Sequence, residues 1–107
     1  MNIIGGPASQ LLAGRVSEIT NSNLHIGEFK RFPDGELYTR ILGELEGERV
    51  TIIQSTVTDS DFIALLQLID ACSDSLELNV VIPYMGYARQ DKKFKEGEPI
   101  SARAMAR

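Results

Sequence analysis

The chain is poor in the residues that build reactive or cross-linked sites. Its 107 residues include one cysteine, one histidine and no tryptophan. A lone Cys72 excludes an internal disulfide, and on a predicted helix face it reads as a small buried hydrophobe. A single histidine, His25, leaves no ligand spacing for zinc. No apolar run approaches the ~20 residues of a membrane span. Met1 to Pro7 lacks the basic start and apolar stretch of a secretory signal. A reducing, cytoplasmic location is the resulting expectation. Basic charge is also in deficit. The formal net charge of −4 weighs against a general nucleic-acid or membrane-binding surface.

With 43% apolar residues, the chain has enough hydrophobic material for one core in one domain. Charge is unevenly spread. Residues 1–88 carry a balance of −7 and residues 89–107 a balance of +3. The basic end holds Arg89, Lys92, Lys93, Lys95, Arg103 and Arg107. An acidic body with one basic end fits local binding of a small anion, or else a solvated basic loop.

Periodicity lays out the elements. Asn2–Ile4 is a short apolar strand ending in Gly5-Gly6-Pro7, a turn. Ser9 is placed to cap a helix on which Leu11, Leu12, Val16 and Ile19 recur at helical spacing. Leu24–Phe29 reads as one strand, and Leu37–Ile41 alternates, with Leu37, Thr39 and Ile41 on one face. Gly43 to Glu48 is an acidic turn. Val50–Ile53 and Leu78–Ile82 are continuous apolar runs, expected as strands buried on both faces. Between them, after Thr58-Asp59-Ser60, Phe62, Leu65, Leu66, Ile69 and Cys72 form a helical stripe. Tyr84 to Pro99 has no hydrophobic period, and a loop that long inside a compact domain is usually functional or mobile. Pro99 suits the first turn of a helix starting near Ile100. Strands alternating with helices predict an α/β fold: three layers, α/β/α, with a mainly parallel sheet and a short β-hairpin. No internal domain boundary is visible. The short last helix, without a stop signal, leads us to expect a fragment of a longer protein.

Three segments carry chemistry. In Arg31-Phe32-Pro33-Asp34-Gly35-Glu36, Pro fixes φ, Asp caps the turn and Gly takes positive φ. Besides turning the chain, this segment displays a ring beside two carboxylates. That set can stack on a base and accept from an exocyclic amine such as that of adenine. The second segment, Pro83 to Lys93, follows the carboxyl end of a strand, where open α/β sheets place ligands. Arg89 offers a planar fork for phosphate, Gln90 donates or accepts, and Lys92 and Lys93 add point charges. Asp91 is positioned either to hold Arg89 or to reach a metal through water. The third, Glu98-Pro99-Ile100-Ser101-Ala102-Arg103, is by itself a helix start. Gly5-Gly6-Pro7-Ala8-Ser9 lacks a P-loop lysine and does not match GxGxxG, so it reads as a structural turn.

Phe32-Pro33-Asp34-Gly35-Glu36, Ile53-Gln54-Ser55-Thr56, Ile82-Pro83-Tyr84-Met85-Gly86-Tyr87-Ala88-Arg89-Gln90-Asp91 and Glu98-Pro99-Ile100-Ser101-Ala102 together resemble the successive signatures of ribose-phosphate pyrophosphokinases. They fall in that family's order and spacing across nearly the whole chain. The resemblance implies a phosphoribosyltransferase-like domain, residues 1–107 being the N-terminal one, with a C-terminal partner domain absent here. It implies transfer of the pyrophosphoryl group of Mg-ATP to ribose 5-phosphate, giving phosphoribosyl pyrophosphate and AMP for nucleotide biosynthesis. It implies ATP-binding roles for Phe32, Asp34, Gly35, Glu36, Arg89, Gln90 and Asp91, with Arg89 the catalytic residue of this chain. The magnesium travels with ATP, and its protein ligands are expected outside this chain. A homo-oligomer is implied too, with ATP at the subunit interface between one copy's Phe32 and its neighbour's Arg89 and Gln90. The fragment alone should not turn over. A non-catalytic relative that assembles with active subunits is the alternative. One departure stands out. Many bacterial members carry Ser-x-Arg, part of an allosteric phosphate and ADP site, where this chain has Glu44-Leu45-Glu46. Archaeal-type members resemble this chain in that respect, and the regulation is expected to be missing.

Overall fold

In a computed structural model, which describes residues 1–93 and 95–106, the elements in chain order are β1 (Asn2–Gly5), α1 (Gln10–Thr20), β2 (Asn23–His25), β3 (Gly27–Arg31), β4 (Leu37–Ile41), β5 (Arg49–Ile53), α2 (Asp59–Ala71), β6 (Glu77–Val81) and α3 (Ser101–Ala106). Four strands form a parallel sheet in the order β2-β1-β5-β6, and β3 pairs with β4 as an antiparallel hairpin. The β1–α1–β2 unit steps one way across the sheet and β5–α2–β6 the other. Crossovers of one hand therefore put the two helices on opposite faces. Side-chain alternation follows: Ile3 and Ile53 pack with Ala13 of α1, whereas Ile4, Val50 and Ile52 pack with Leu65 and Leu68 of α2 and with its C-cap residue Cys72. The expected three-layer α/β/α fold with a short hairpin is what forms. Leu68 is fully buried, and burial of such a side chain contributes about 1.5–3 kcal/mol.

Four local expectations are corrected. Leu24–Phe29 is not one strand. Asn23–His25 pairs with β1 in the main sheet, and after an exposed Ile26 the chain turns into β3 of the hairpin. On α1 the leucines do not face the sheet: Leu11 and Ile19 are exposed, and the buried residues are Ala13 and Ser17. The cause is close approach. A Cβ on Gly5 would lie 2.6 Å from the Ala13 Cβ, so only small residues fit between α1 and β1. On α2 the buried line runs through Ala64, Leu65 and Leu68 to Cys72, leaving Leu66 exposed. Finally, β6 is not buried on both faces. It has β5 on one side only, and both Val80 and Val81 are exposed.

Capping also departs from expectation in one helix and agrees in the other. Ser9 makes no side-chain cap on α1; its hydroxyl instead accepts from the Ser55 backbone N–H at 3.0 Å. Helix α2 starts with a capping box. Thr58 Oγ1 accepts from Asp61 N, and Asp61 Oδ2 accepts from Thr58 N, both at 3.1 Å.

Candidate functional site: two exposed segments braced by a buried polar ladder

The strand order reverses between β1 and β5, the place where open α/β sheets leave a crevice at their carboxyl ends. Here the crevice is filled. Gln54 is fully buried; its Oε1 accepts from Ala8 N at 3.1 Å and its Nε2 donates to the Asp61 carbonyl at 3.2 Å. A Cβ on Gly6 would overlap the Gln54 side chain, so glycine is required there. Gly5-Gly6-Pro7-Ala8-Ser9 is thereby a turn packed on Gln54.

Ser55 and Thr56 continue this buried polar line into the long loop. Ser55 Oγ accepts from Tyr84 N at 3.1 Å, Thr56 N donates to the Tyr84 carbonyl at 2.8 Å, and Thr56 Oγ1 accepts from Gly86 N at 2.8 Å. A Cβ on Gly86 would overlap the Thr56 carbonyl oxygen. Beyond Gly86, Tyr87 adopts a left-handed backbone, φ +66°, which is costly for an aromatic residue. Its hydroxyl donates to Asp59 Oδ1 in the first turn of α2. That bond to a carboxylate, together with desolvation and the Asp59 charge, raises the Tyr87 pKa above its ordinary value. The strained residue is thus tied at its far end.

Arg89, Gln90 and Asp91 follow, all exposed. Arg89 and Gln90 line a recess of about 290 Å³ with Val57, Tyr84, Gly86 and Tyr87. Asp91 does not hold Arg89: no ion pair joins the two among the described residues. Gln90 is anchored. Its N–H donates to the Tyr87 carbonyl at 3.0 Å, its carbonyl accepts from Ala102 N at 3.0 Å, and its Oε1 accepts from Ser101 Oγ at 2.7 Å. Ser101 and Ala102, plain in sequence, are what meet Gln90.

The hairpin tip presents the other segment. Phe32 N donates to the Glu36 carbonyl and Gly35 N to the Phe32 carbonyl, both at 2.8 Å, while Asp34 Oδ1 accepts from Glu36 N at 3.2 Å. Gly35 sits at φ +97°, as the Pro-Asp-Gly pattern demands. Phe32 is exposed and rests edge-on against Tyr38, with ring centroids 5.7 Å apart. Arg31 staples the tip: one guanidinium nitrogen donates to the Gly35 carbonyl at 2.6 Å and another to Ser60 Oγ at 2.5 Å. The first turn of α2 therefore touches both segments, through Ser60 and Asp59. No hydrogen bond or ion pair among the described residues joins Phe32, Asp34 or Glu36 directly to Arg89 or Gln90. Chemically, one segment offers a ring face and carboxylate acceptors, the other a guanidinium and an amide. No three His, Cys, Asp or Glu side chains converge as a metal site among the described residues, and none of its helices is long and apolar enough to cross a membrane.

The fold places the chain among the phosphoribosyltransferase-like α/β domains. A purine phosphoribosyltransferase from Pyrococcus horikoshii Ot3 shares the fold at a TM-score of 0.59 and 21% identity, over 79% of this chain and 63% of that one. More specifically, the chain belongs to the family described as the N-terminal domain of ribose phosphate pyrophosphokinase, whose model matches residues 1–107. A ribose-phosphate pyrophosphokinase of Methanosarcina mazei is 69% identical over all of this chain and 36% of its own length. The Methanosarcina acetivorans protein of the same name is 71% identical over all of this chain and 38% of its length. The phosphoribosylpyrophosphate synthetase of Mycobacterium smegmatis superimposes with a TM-score of 0.88 at 27% identity, covering 97% of this chain and 36% of that one. The chain thus spans a little over a third of the length of these relatives.

Proposed function

We propose that the protein containing this domain makes phosphoribosyl pyrophosphate, and that this chain supplies its ATP-binding residues. In the reaction the anomeric hydroxyl oxygen of ribose 5-phosphate attacks the β-phosphorus of ATP. The bond between that phosphorus and the α,β-bridging oxygen breaks, AMP leaves with the oxygen, and the hydroxyl proton passes to solvent. Little covalent work falls to the protein; positioning and neutralisation of phosphate charge carry the rate. Phe32 stacks on the adenine, and Asp34 and Glu36 accept from its amine across the tight turn made by Gly35. Arg89 and Gln90 donate to the triphosphate, and Asp91 follows them in the same loop. Magnesium bound with ATP supplies further charge neutralisation.

The observation that carries this reading is the split of the site. Among the described residues no bond joins Phe32, Asp34 or Glu36 to Arg89 or Gln90, and each set offers half of what a nucleotide needs. A homo-oligomer, in which one copy's hairpin tip meets the neighbour's Arg89 loop around a single ATP, completes both halves. Arg89→Ala in the full-length protein tests the assignment. Losing a donor to developing phosphate charge should lower kcat by roughly 100-fold or more. Near-normal turnover would remove Arg89 from the chemistry and the reading with it.

A further inference from the structure

We propose that Ser101 is a positioning residue, which turns the Gln90 carboxamide so that its NH2 group faces the nucleotide phosphates. The inference rests on the reading of Arg89 and Gln90 as triphosphate-facing groups and adds the device that sets their polarity. A glutamine amide has two ends of similar shape and opposite effect on an anion. Its nitrogen donates to a phosphate oxygen; its carbonyl oxygen repels one. A free, exposed glutamine presents both in turn.

Gln90 is not free. Both of its backbone groups are taken, the N–H by the Tyr87 carbonyl and the carbonyl by Ala102 N–H. The side-chain oxygen is taken as well, by Ser101 Oγ at 2.7 Å. Of its polar groups only the amide NH2 is left without a partner among the described residues, and Gln90 lines with Arg89 the recess beside Tyr84 and Gly86. Ser101 is itself fixed, 8% exposed and held at the start of α3. Its hydroxyl proton finds no other acceptor among the described residues. A reversed Gln90 amide would leave that buried proton unbonded, so the orientation is selected by both partners. Adjacent side-chain and main-chain bonds, Ser101 Oγ to Oε1 and Ala102 N to the carbonyl, lock the side chain and backbone of one residue together. The phosphate-facing donor is thus set before the nucleotide arrives, which lowers the ordering cost of binding.

The test is steady-state kinetics on the full-length protein. Alanine fits the space of Ser101, so Ser101→Ala should fold and keep its melting temperature within a few degrees. Its KM for ATP should rise about tenfold, the scale of one hydrogen bond to a charged group. The KM for ribose 5-phosphate should stay unchanged. Ser101→Thr, which keeps the hydroxyl, should restore ATP binding, and Ser101→Ala should add nothing in a Gln90→Ala background. A wild-type KM for ATP in Ser101→Ala, an equal rise for both substrates, no rescue by threonine, or additive effects with Gln90→Ala would each overturn the proposal. If Arg89→Ala and Gln90→Ala disable the enzyme while Ser101→Ala does not, this inference alone fails. If Arg89→Ala is also silent, the ATP-site reading fails first.

Discussion

At the scale of single residues, burial decides what the one cysteine can do. Cys72 is fully buried among Ile4, Leu65 and Leu68 on the α2 face of the sheet. Desolvation, and after it the carboxylate of Asp74, raise its pKa above the ordinary thiol value. The folded thiol keeps its proton at a pH where the unfolded thiol has lost it. The stability it contributes is therefore complete below about pH 8.5 and is lost as pH rises through the raised native value. Two outcomes follow. At pH 8 the peptide containing Cys72 should stay unlabelled by a thiol reagent until the protein is unfolded, as read by mass spectrometry. Denaturation midpoints should also fall above pH 8.5, less steeply in Cys72→Ala. Rapid stoichiometric labelling of the native protein would show that the site is open. The sequence placed Cys72 on an apolar helix face, because a helical period is a local property. It did not reveal the partners of Gln54 or Ser101, because those bonds join residues 46 and 11 positions apart. Asp91 illustrates the converse: adjacency to Arg89 suggested an ion pair that the loop's backbone course does not make.

At the scale of elements, the hairpin is held by a few named bonds rather than by a core of its own. Gln67 of α2 accepts from Thr39 Oγ1 at 2.6 Å and donates to the Leu37 carbonyl at 2.8 Å. Arg31 adds the tie to Ser60 described above, while Phe29 and Ile41 pack on the main core. Gln67→Ala strands the Leu37 carbonyl and Thr39 hydroxyl in a half-buried position, at a cost of roughly 1–3 kcal/mol. Hydrogen exchange should then accelerate in β3 and β4 while β1 and β5, whose bonds do not involve Gln67, keep their protection. Unchanged exchange in the hairpin would mean that apolar packing alone docks it. Element types were legible from periodicity, but their exposure was not. The run Leu78–Ile82 has the composition of a central strand, and only the strand order shows that β6 has a neighbour on one side. The break at Ile26 was likewise hidden, since a parallel edge strand and a hairpin strand share the same β-branched and aromatic vocabulary. Leu11 and Ile19 satisfied a helical period on the wrong face, because tight packing of Ala13 over Gly5 outweighed hydrophobicity.

For the whole molecule, the distribution of charge bears on regulation. The body of the chain is acidic, and the turn between β4 and β5 concentrates that charge: Leu45 is pinned in the core, leaving Glu44 and Glu46 exposed on either side of it. Together with Asp74 they line an open recess of about 500 Å³ in which Arg40 is the one cation. The sequence resemblance implies that many bacterial members carry Ser-x-Arg at this place, as part of an allosteric phosphate and ADP site. Three carboxylates against one guanidinium repel such anions. Leu45 also fixes the geometry, since lifting the turn to bring in other donors would expose a core side chain at about 1.5–3 kcal/mol. The full-length enzyme should accordingly show ADP inhibition that is purely competitive with ATP, and phosphate should give no activation beyond its effect on ionic strength. Initial rates against ATP at several ADP concentrations make the distinction. Lines converging at one maximal velocity are expected, whereas a maximal velocity that falls with ADP would require a second anion site and would place it away from this recess.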